Sequence, residues 1–153
     1  MKSVRNVVLR AVVDTNIWIS ALLFPSGMPG KVLLALAERA FTLVISEPLL
    51  AEIEDVGQRP RITRKYGIVQ KDIDRLIGLL RERAEVIPIT GELRVCRDAD
   101  DDMVIETALL GLADVLVTRD DDLKEASEVM IYLESAGISV LSVRRFLEAL
   151  ELS

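Results

Sequence analysis

The 153 residues carry a net charge of −6 and are half hydrophobic, with one cysteine and no histidine. That length suits one domain with a substantial core, expected to run over residues 1–153. The missing histidine excludes Ser-His-Asp, Cys-His and imidazole–metal chemistry, and the lone cysteine excludes an internal disulfide, a thiolate zinc cluster and a CxxC pair.

The elements alternate in type along the chain. "VVLRAVV", residues 7–13, is rich in β-branched residues and stops at Asp14, which predicts a buried strand feeding a turn. "NIWISALLF" reads as a helix, "PSGMPG" breaks it, and "KVLLALAERA" is a second helix before the strand "FTLVI", residues 41–45. Ser46 can cap the next helix, with Pro48 tolerated in its first turn, and that helix runs to about Val56. A basic helical piece near 61–66, an amphipathic helix near 70–83 and a strand in "AEVIPI" follow. A helix over about 101–111, a strand in "ADVLVT", a helix in "SEVMIYLESA", a strand in "GISVLS" and a closing helix in "VRRFLEAL" complete the series. Strands alternating with helices predict an α/β fold with a mainly parallel sheet between helical layers, whose sites gather at the carboxyl ends of the strands. No apolar run reaches the roughly 18–20 residues of a membrane span, and the N-terminus lacks a secretory cleavage pattern, so a cytoplasmic protein is expected.

Acids mark the predicted strand ends. Asp14 follows the first strand and Asp120 the fourth, so if these strands are neighbours both carboxylates project at one edge; the ordinary alternative for each is a cap or turn residue. In "RDADDDM" four aspartates stand within five positions at the start of a helix, more than capping uses. Side chains three, four and seven positions apart share a helical face, which aligns Asp101 with Val104, Ile105 and Ala108 at the centre of the apolar stripe. Asp102 pairs with Glu106 nearer the edge of that stripe, and Asp98 and Asp100 fall in capping or solvent positions. Asp101 is therefore the member expected in a pocket, with Asp102 second. Glu52 stands beside Leu49, Ile53 and Val56 at the border of a buried face, while Glu54 and Asp55 turn toward water.

Brought together without a counter-charge, Asp14, Glu52, Asp101 and Asp120 would repel and raise one another's pKa. A donor set of carboxylate oxygens suits Mg²⁺ or Mn²⁺ better than zinc or copper. Such ions lower the pKa of a bound water and stabilise charge on a phosphate under attack. From Arg59 to Lys71 the chain has five basic residues and no acidic one. Arg59, Arg61, Arg64 and Lys65 are candidates for phosphate contact, and a solvated helical face is the alternative. Cys96 reads as a filler rather than a nucleophile.

The segments "VVDTNIWISALL", "SEPLLAEI", "RDADDDMVIETALLGLADVLVTRDDDL" and "ISVLSVRRFLEAL" resemble, in this order, the PIN-domain ribonucleases, particularly the toxin branch of bacterial and archaeal toxin–antitoxin pairs. The resemblance implies a three-layer fold with a five-stranded parallel sheet, and metal-dependent endonucleolytic cleavage of RNA. By matching motif it implies an acidic quartet of Asp14, Glu52, Asp101 and Asp120, with Asp122 a further metal ligand beside Asp14, Asp101 and Asp120. It makes Asn16 and Thr118 polar residues that orient a carboxylate or water; Asp102 joins them in support from its place on the helix, not from the motif. It also implies a homodimer and inhibition by a small antitoxin. A haloacid dehalogenase-type phosphatase would want a second acid where Asn16 stands, and a receiver domain would want a further acid pair and a late lysine. A PIN-like module that only binds RNA or protein is the non-enzymatic alternative, and the four acidic motif positions favour catalysis over it.

Overall fold

The computed structural model describes residues 8–119 and 127–152. Among these, five strands form one parallel sheet in the order β3-β2-β1-β4-β5: β1 (Arg10–Val13), β2 (Thr42–Ile45), β3 (Ala84–Val86), β4 (Val115–Thr118) and β5 (Ser139–Ser142). The flanking helices are α1 (Thr15–Leu23), α2 (Met28–Ala37), α3 (Glu47–Gly57), α4 (Pro60–Tyr66), α5 (Gln70–Arg83), α6 (Ala99–Leu110), α7 (Glu128–Ser135) and α8 (Val143–Leu152). The three central strands are apolar on both faces, with Ala11 to Val13, Leu43 to Ile45 and Val115 to Val117 all buried. Helices cover both sides of such a sheet, which explains the unbroken apolar runs in the sequence. Both edges are short and partly polar, with Glu85 exposed in β3 and Ser139 in β5, features that discourage pairing with another sheet.

The order of the strands fixes where a site can form. β2 and β3 lie to one side of β1, and β4 and β5 to the other. The chain reverses its direction of winding between β1 and β4, so a crevice opens beyond their carboxyl ends. Val13 pairs with Val117, and the Asp14 amide continues the ladder by donating to the Val117 carbonyl at 2.9 Å. Asp14 therefore sits at the mouth of that crevice, beside Thr118.

The opposite edge is closed by Arg10. Its guanidinium donates to both Glu85 carboxylate oxygens at 2.9 Å and to the Gly111 carbonyl at 2.7 Å, while its backbone N–H donates to Asp114 Oδ2 at 2.9 Å. This ties β1, β3 and the end of α6 together away from the crevice. Gly30, at the start of α2, is required by close approach: a Cβ there would stand 1.9 Å from the Pro25 carbonyl oxygen.

Several details differ from the sequence reading. β1 begins only at Arg10, and α2 takes in Met28 to Gly30 of the predicted break, because Pro29 is tolerated in a first helical turn. β3 ends at Val86 rather than running through "AEVIPI": Ile87 still donates to the Ile45 carbonyl at 2.7 Å, but Pro88 has no N–H with which to continue. Ser46 stands at the N-cap of α3 but does not cap it; its hydroxyl is hydrogen-bonded to the Thr107 hydroxyl at 2.8 Å, pinning α3 to α6. α6 begins at Ala99, ahead of the expected 101, because Asp98 is the cap: its carboxylate accepts from the Asp100 N–H at 2.9 Å and its carbonyl from the Asp101 and Asp102 N–H groups. Among the described residues no single helix is long and apolar enough to cross a membrane.

Candidate active site at the carboxyl edge of the sheet

A cavity of about 410 Å³ opens beyond β1 and β4, and Asp14, Glu52 and Asp101 all line it. Each comes from a different place in the chain, and each is fixed differently. Asp14 leaves β1 and caps α1: its Oδ1 accepts the Asn16 N–H at 3.0 Å, and its Oδ2 faces the Thr118 hydroxyl at 3.4 Å. Glu52 projects from the middle of α3, and its Oε1 accepts the Thr15 hydroxyl at 2.9 Å. Asp101 lies in the first turn of α6, half-buried among the other acids of that turn.

The electrostatics follow from this convergence. Burial is the first cause lifting the Glu52 carboxyl above the ordinary glutamate range; the Thr15 hydroxyl works against it, and nearby Asp100 and Asp14 add to it. The Asp101 carboxyl is raised too, first by burial and then by Asp98, Glu128, Asp100 and Asp102. Two acids on different helices are thus held where ionisation is opposed. A cation in the cavity would relieve both.

Asn16 and Thr118 line the cavity, Asn16 contributing its backbone N–H to Asp14. Asp98 and Asp100 also line it, although both are largely exposed. Asp120 and Asp122 lie outside the described residues. Among the described residues no three carboxylates stand close enough together to grip one ion. The oxygen-only character of the lining carboxylates nevertheless matches a hard divalent cation.

Asp102 does something else. It is buried, and its Oδ1 accepts the N–H groups of Val95 and Cys96 at 2.9 and 2.8 Å, so it fastens the segment leading into α6 rather than facing the cavity. One turn on, Glu106 repeats the device. Its carboxylate accepts from the Thr90 N–H and hydroxyl at 2.7 and 2.8 Å and from the Gly91 N–H at 3.1 Å. Burial works to raise Glu106, and these donors outweigh it and hold the carboxyl below the usual range. The two buried acids of α6 are clasps for residues 90–96.

The basic residues lie outside the cavity wall. Arg59, Arg61, Arg64 and Lys65 are exposed on and beside α4; Arg59 forms an ion pair with Asp55 at 2.9 Å and acts electrostatically on Glu52. α4 therefore starts close to the acids and leads away from them.

Sequence reasoning missed Glu128. It opens α7, accepts the Arg97 N–H at 3.1 Å, and contributes to the rise at Asp101. Its signal was the cap "SE" of "SEVMIYLESA", where the Ser127 hydroxyl accepts the Met130 N–H at 3.0 Å. Nothing in that pattern indicates that α7 starts beside α6.

Comparison with known proteins agrees with this fold. A family described as "PIN domain" matches residues 10–122, a span that includes Asp14, Glu52 and the aspartates of α6. A protein named "Uncharacterized protein MJ1680", from Methanocaldococcus jannaschii, is 30% identical over 153 residues, covering 99% of this chain and 97% of its own length. PIN domains are typically nucleases that use divalent metals. With a parallel five-stranded sheet, acids at its carboxyl edge and a family match over most of its length, the chain belongs to the PIN-domain family.

Proposed function

We propose that this protein is a Mg²⁺- or Mn²⁺-dependent endoribonuclease whose site comprises Asp14, Glu52, Asp101 and Asp120. The observation that carries the reading is the convergence of three acids from β1, α3 and α6 on one cavity, two of them with carboxyls pushed upward. Asp14, Asp101, Asp120 and Asp122 would hold the metal. When bound, it lowers the pKa of a coordinated water and stabilises charge on the phosphate under attack.

The chain's own groups supply orientation and proton handling. The Asn16 N–H and the Thr118 hydroxyl aim the Asp14 carboxylate. The Thr15 hydroxyl holds Glu52 on Oε1, which leaves Oε2 to take up or return a proton, a role helped by a carboxyl raised above the ordinary glutamate range by burial. Asp102 keeps Asp101 in register by anchoring the segment before it. Arg59, Arg61, Arg64 and Lys65 offer phosphate contacts along α4.

The test is cleavage of end-labelled RNA by the purified chain with Mn²⁺ or Mg²⁺. Fragments that vanish on chelation support the reading; RNA left intact under every metal condition rejects it.

The motif resemblance further supports a toxin role with a small antitoxin partner and a homodimer. Induced expression should arrest growth of a host cell, and Asp14→Asn should relieve the arrest. Light scattering of the purified chain should give twice the monomer mass.

A further inference from the structure

The chain has six aromatic residues, and their placement is uneven. Trp18, Phe41 and Phe146 are buried, and Tyr132 packs partly against the core. Phe24 and Tyr66 are exposed, at 52% and 38%. These two touch each other, with ring centroids 5.6 Å apart and planes at 85°. Phe24 ends α1 and Tyr66 ends α4, so the corner they make is built by two helices that both start near the acids. Asp14 is the N-cap of α1, which places Phe24 about 15 Å from it along the helix axis.

The surroundings of this corner are cationic. Arg61, Arg64 and Lys65 are exposed on α4, no acid occurs between Arg59 and Lys71, and the Lys65 ammonium lies 5.4 Å from the Tyr66 ring centre. On a chain of net charge −6 this is a local reversal of sign. Exposed aromatics beside a basic strip are the combination that holds single-stranded nucleic acid: cations follow the phosphates, and rings stack on bases of any sequence.

We propose that Phe24 and Tyr66 form a base-stacking subsite that holds an unpaired nucleotide several positions from the bond to be cut, and that it selects single-stranded over duplex substrate. The inference rests on the nuclease reading for its purpose, and its binding chemistry stands apart from it. Two perpendicular rings make a corner in which a flat base stacks on one ring and sets its edge against the other. A base paired in a duplex cannot enter that corner without leaving its partner.

The experiment measures binding with chelator present, so that no cleavage intervenes. An unstructured, fluorescein-labelled oligoribonucleotide carrying one 2-aminopurine is titrated with wild type, Phe24→Leu, Tyr66→Leu, the double variant and Tyr66→Phe. The double variant should lose on the order of tenfold in affinity and lose the 2-aminopurine quenching, while the salt dependence stays as in wild type. Tyr66→Phe, which keeps the ring, should bind as wild type does, and a duplex of the same sequence should be indifferent to all four changes. Unchanged affinity in the double variant, or equal losses on duplex, would overturn the subsite. So would a wild-type dimer that Phe24→Leu dissolves, since a second copy would then cover the rings. A parallel assay with Mn²⁺ keeps the two readings separate: binding that depends on the rings without cleavage would remove the nuclease and leave the subsite.

Discussion

The Thr15 hydroxyl donates to Glu52 Oε1 at 2.9 Å, linking the first residue of α1 to the middle of α3 across the cavity. Because Asp14 immediately precedes Thr15, this bond sets the distance between two of the acids. Thr15→Val keeps the shape and removes the donor. It should lower cleavage by about tenfold, the scale of a lost hydrogen bond to a charged group. Thr15→Ser should restore most of the rate; a Val variant as active as wild type would leave Glu52 positioned by packing alone.

Glu52 also sets a pH dependence whose sign can be worked out. Its pKa is raised in the folded chain, chiefly by burial, so folding opposes its ionisation. The associated stability is fully present below the ordinary glutamate value and is lost as pH rises through the raised one. Glu52→Gln, which keeps an acceptor for Thr15, should therefore raise the Tm of the metal-free chain at about pH 8 and give no gain near pH 4, below the ordinary value. A Tm difference that does not vary with pH would contradict the raised carboxyl.

The aspartates of α6 should separate by role. Asp101→Asn should cut the cleavage rate roughly a hundredfold or more while leaving the fold intact, because it changes a cavity acid that supports charge stabilisation worth several kcal/mol. Asp100→Asn should cost far less. Asp102→Ala should lower stability by about 2–4 kcal/mol in denaturant unfolding, since it strands two amide donors of the 95–96 segment. Equal activity losses at 100 and 101, or an unaltered unfolding midpoint at 102, would show that these side chains are not partitioned in this way.

Much of this was legible in the sequence. The strands announced themselves as β-branched runs, and Asp14 could be placed at a strand end because its run stops so sharply. Facing arithmetic on α6 set Asp101 at the centre of the buried stripe and Asp102 with Glu106 nearer its edge; in the fold Asp102 and Glu106 are the buried pair, because backbone donors of residues 90–96 meet them, and Asp101 is half-buried on the cavity wall. What it could not supply was the partner of Asp102, since Val95 and Cys96 lie in an irregular segment with no periodicity to read. The same holds for Glu128 and for the meeting of Phe24 with Tyr66, which depend on how distant helices pack rather than on any local pattern.

Like charges gathered at one edge should respond to a counter-ion. Millimolar Mn²⁺ or Mg²⁺ should raise the Tm of the wild-type chain, as a ligand for the native state does, and should do so much less in Asp14→Asn and Asp101→Asn. A melt indifferent to both ions would argue against a metal site among these carboxylates.

The basic strip has its own signature. Reversing Arg61 and Arg64 to Glu should weaken RNA binding and flatten its dependence on salt, because each lost phosphate contact removes released counter-ions. An unchanged slope would return α4 to a solvated face.

The most direct test of the metal-dependent nuclease is the single-turnover cleavage rate of wild type and Asp14→Asn on one end-labelled single-stranded RNA, at saturating protein with Mn²⁺. Rapid cutting by wild type, stopped by chelator and reduced by at least about a hundredfold in Asp14→Asn while RNA binding persists, is the predicted result. Equal rates in the two proteins would contradict the assignment of the cavity acids to the chemistry.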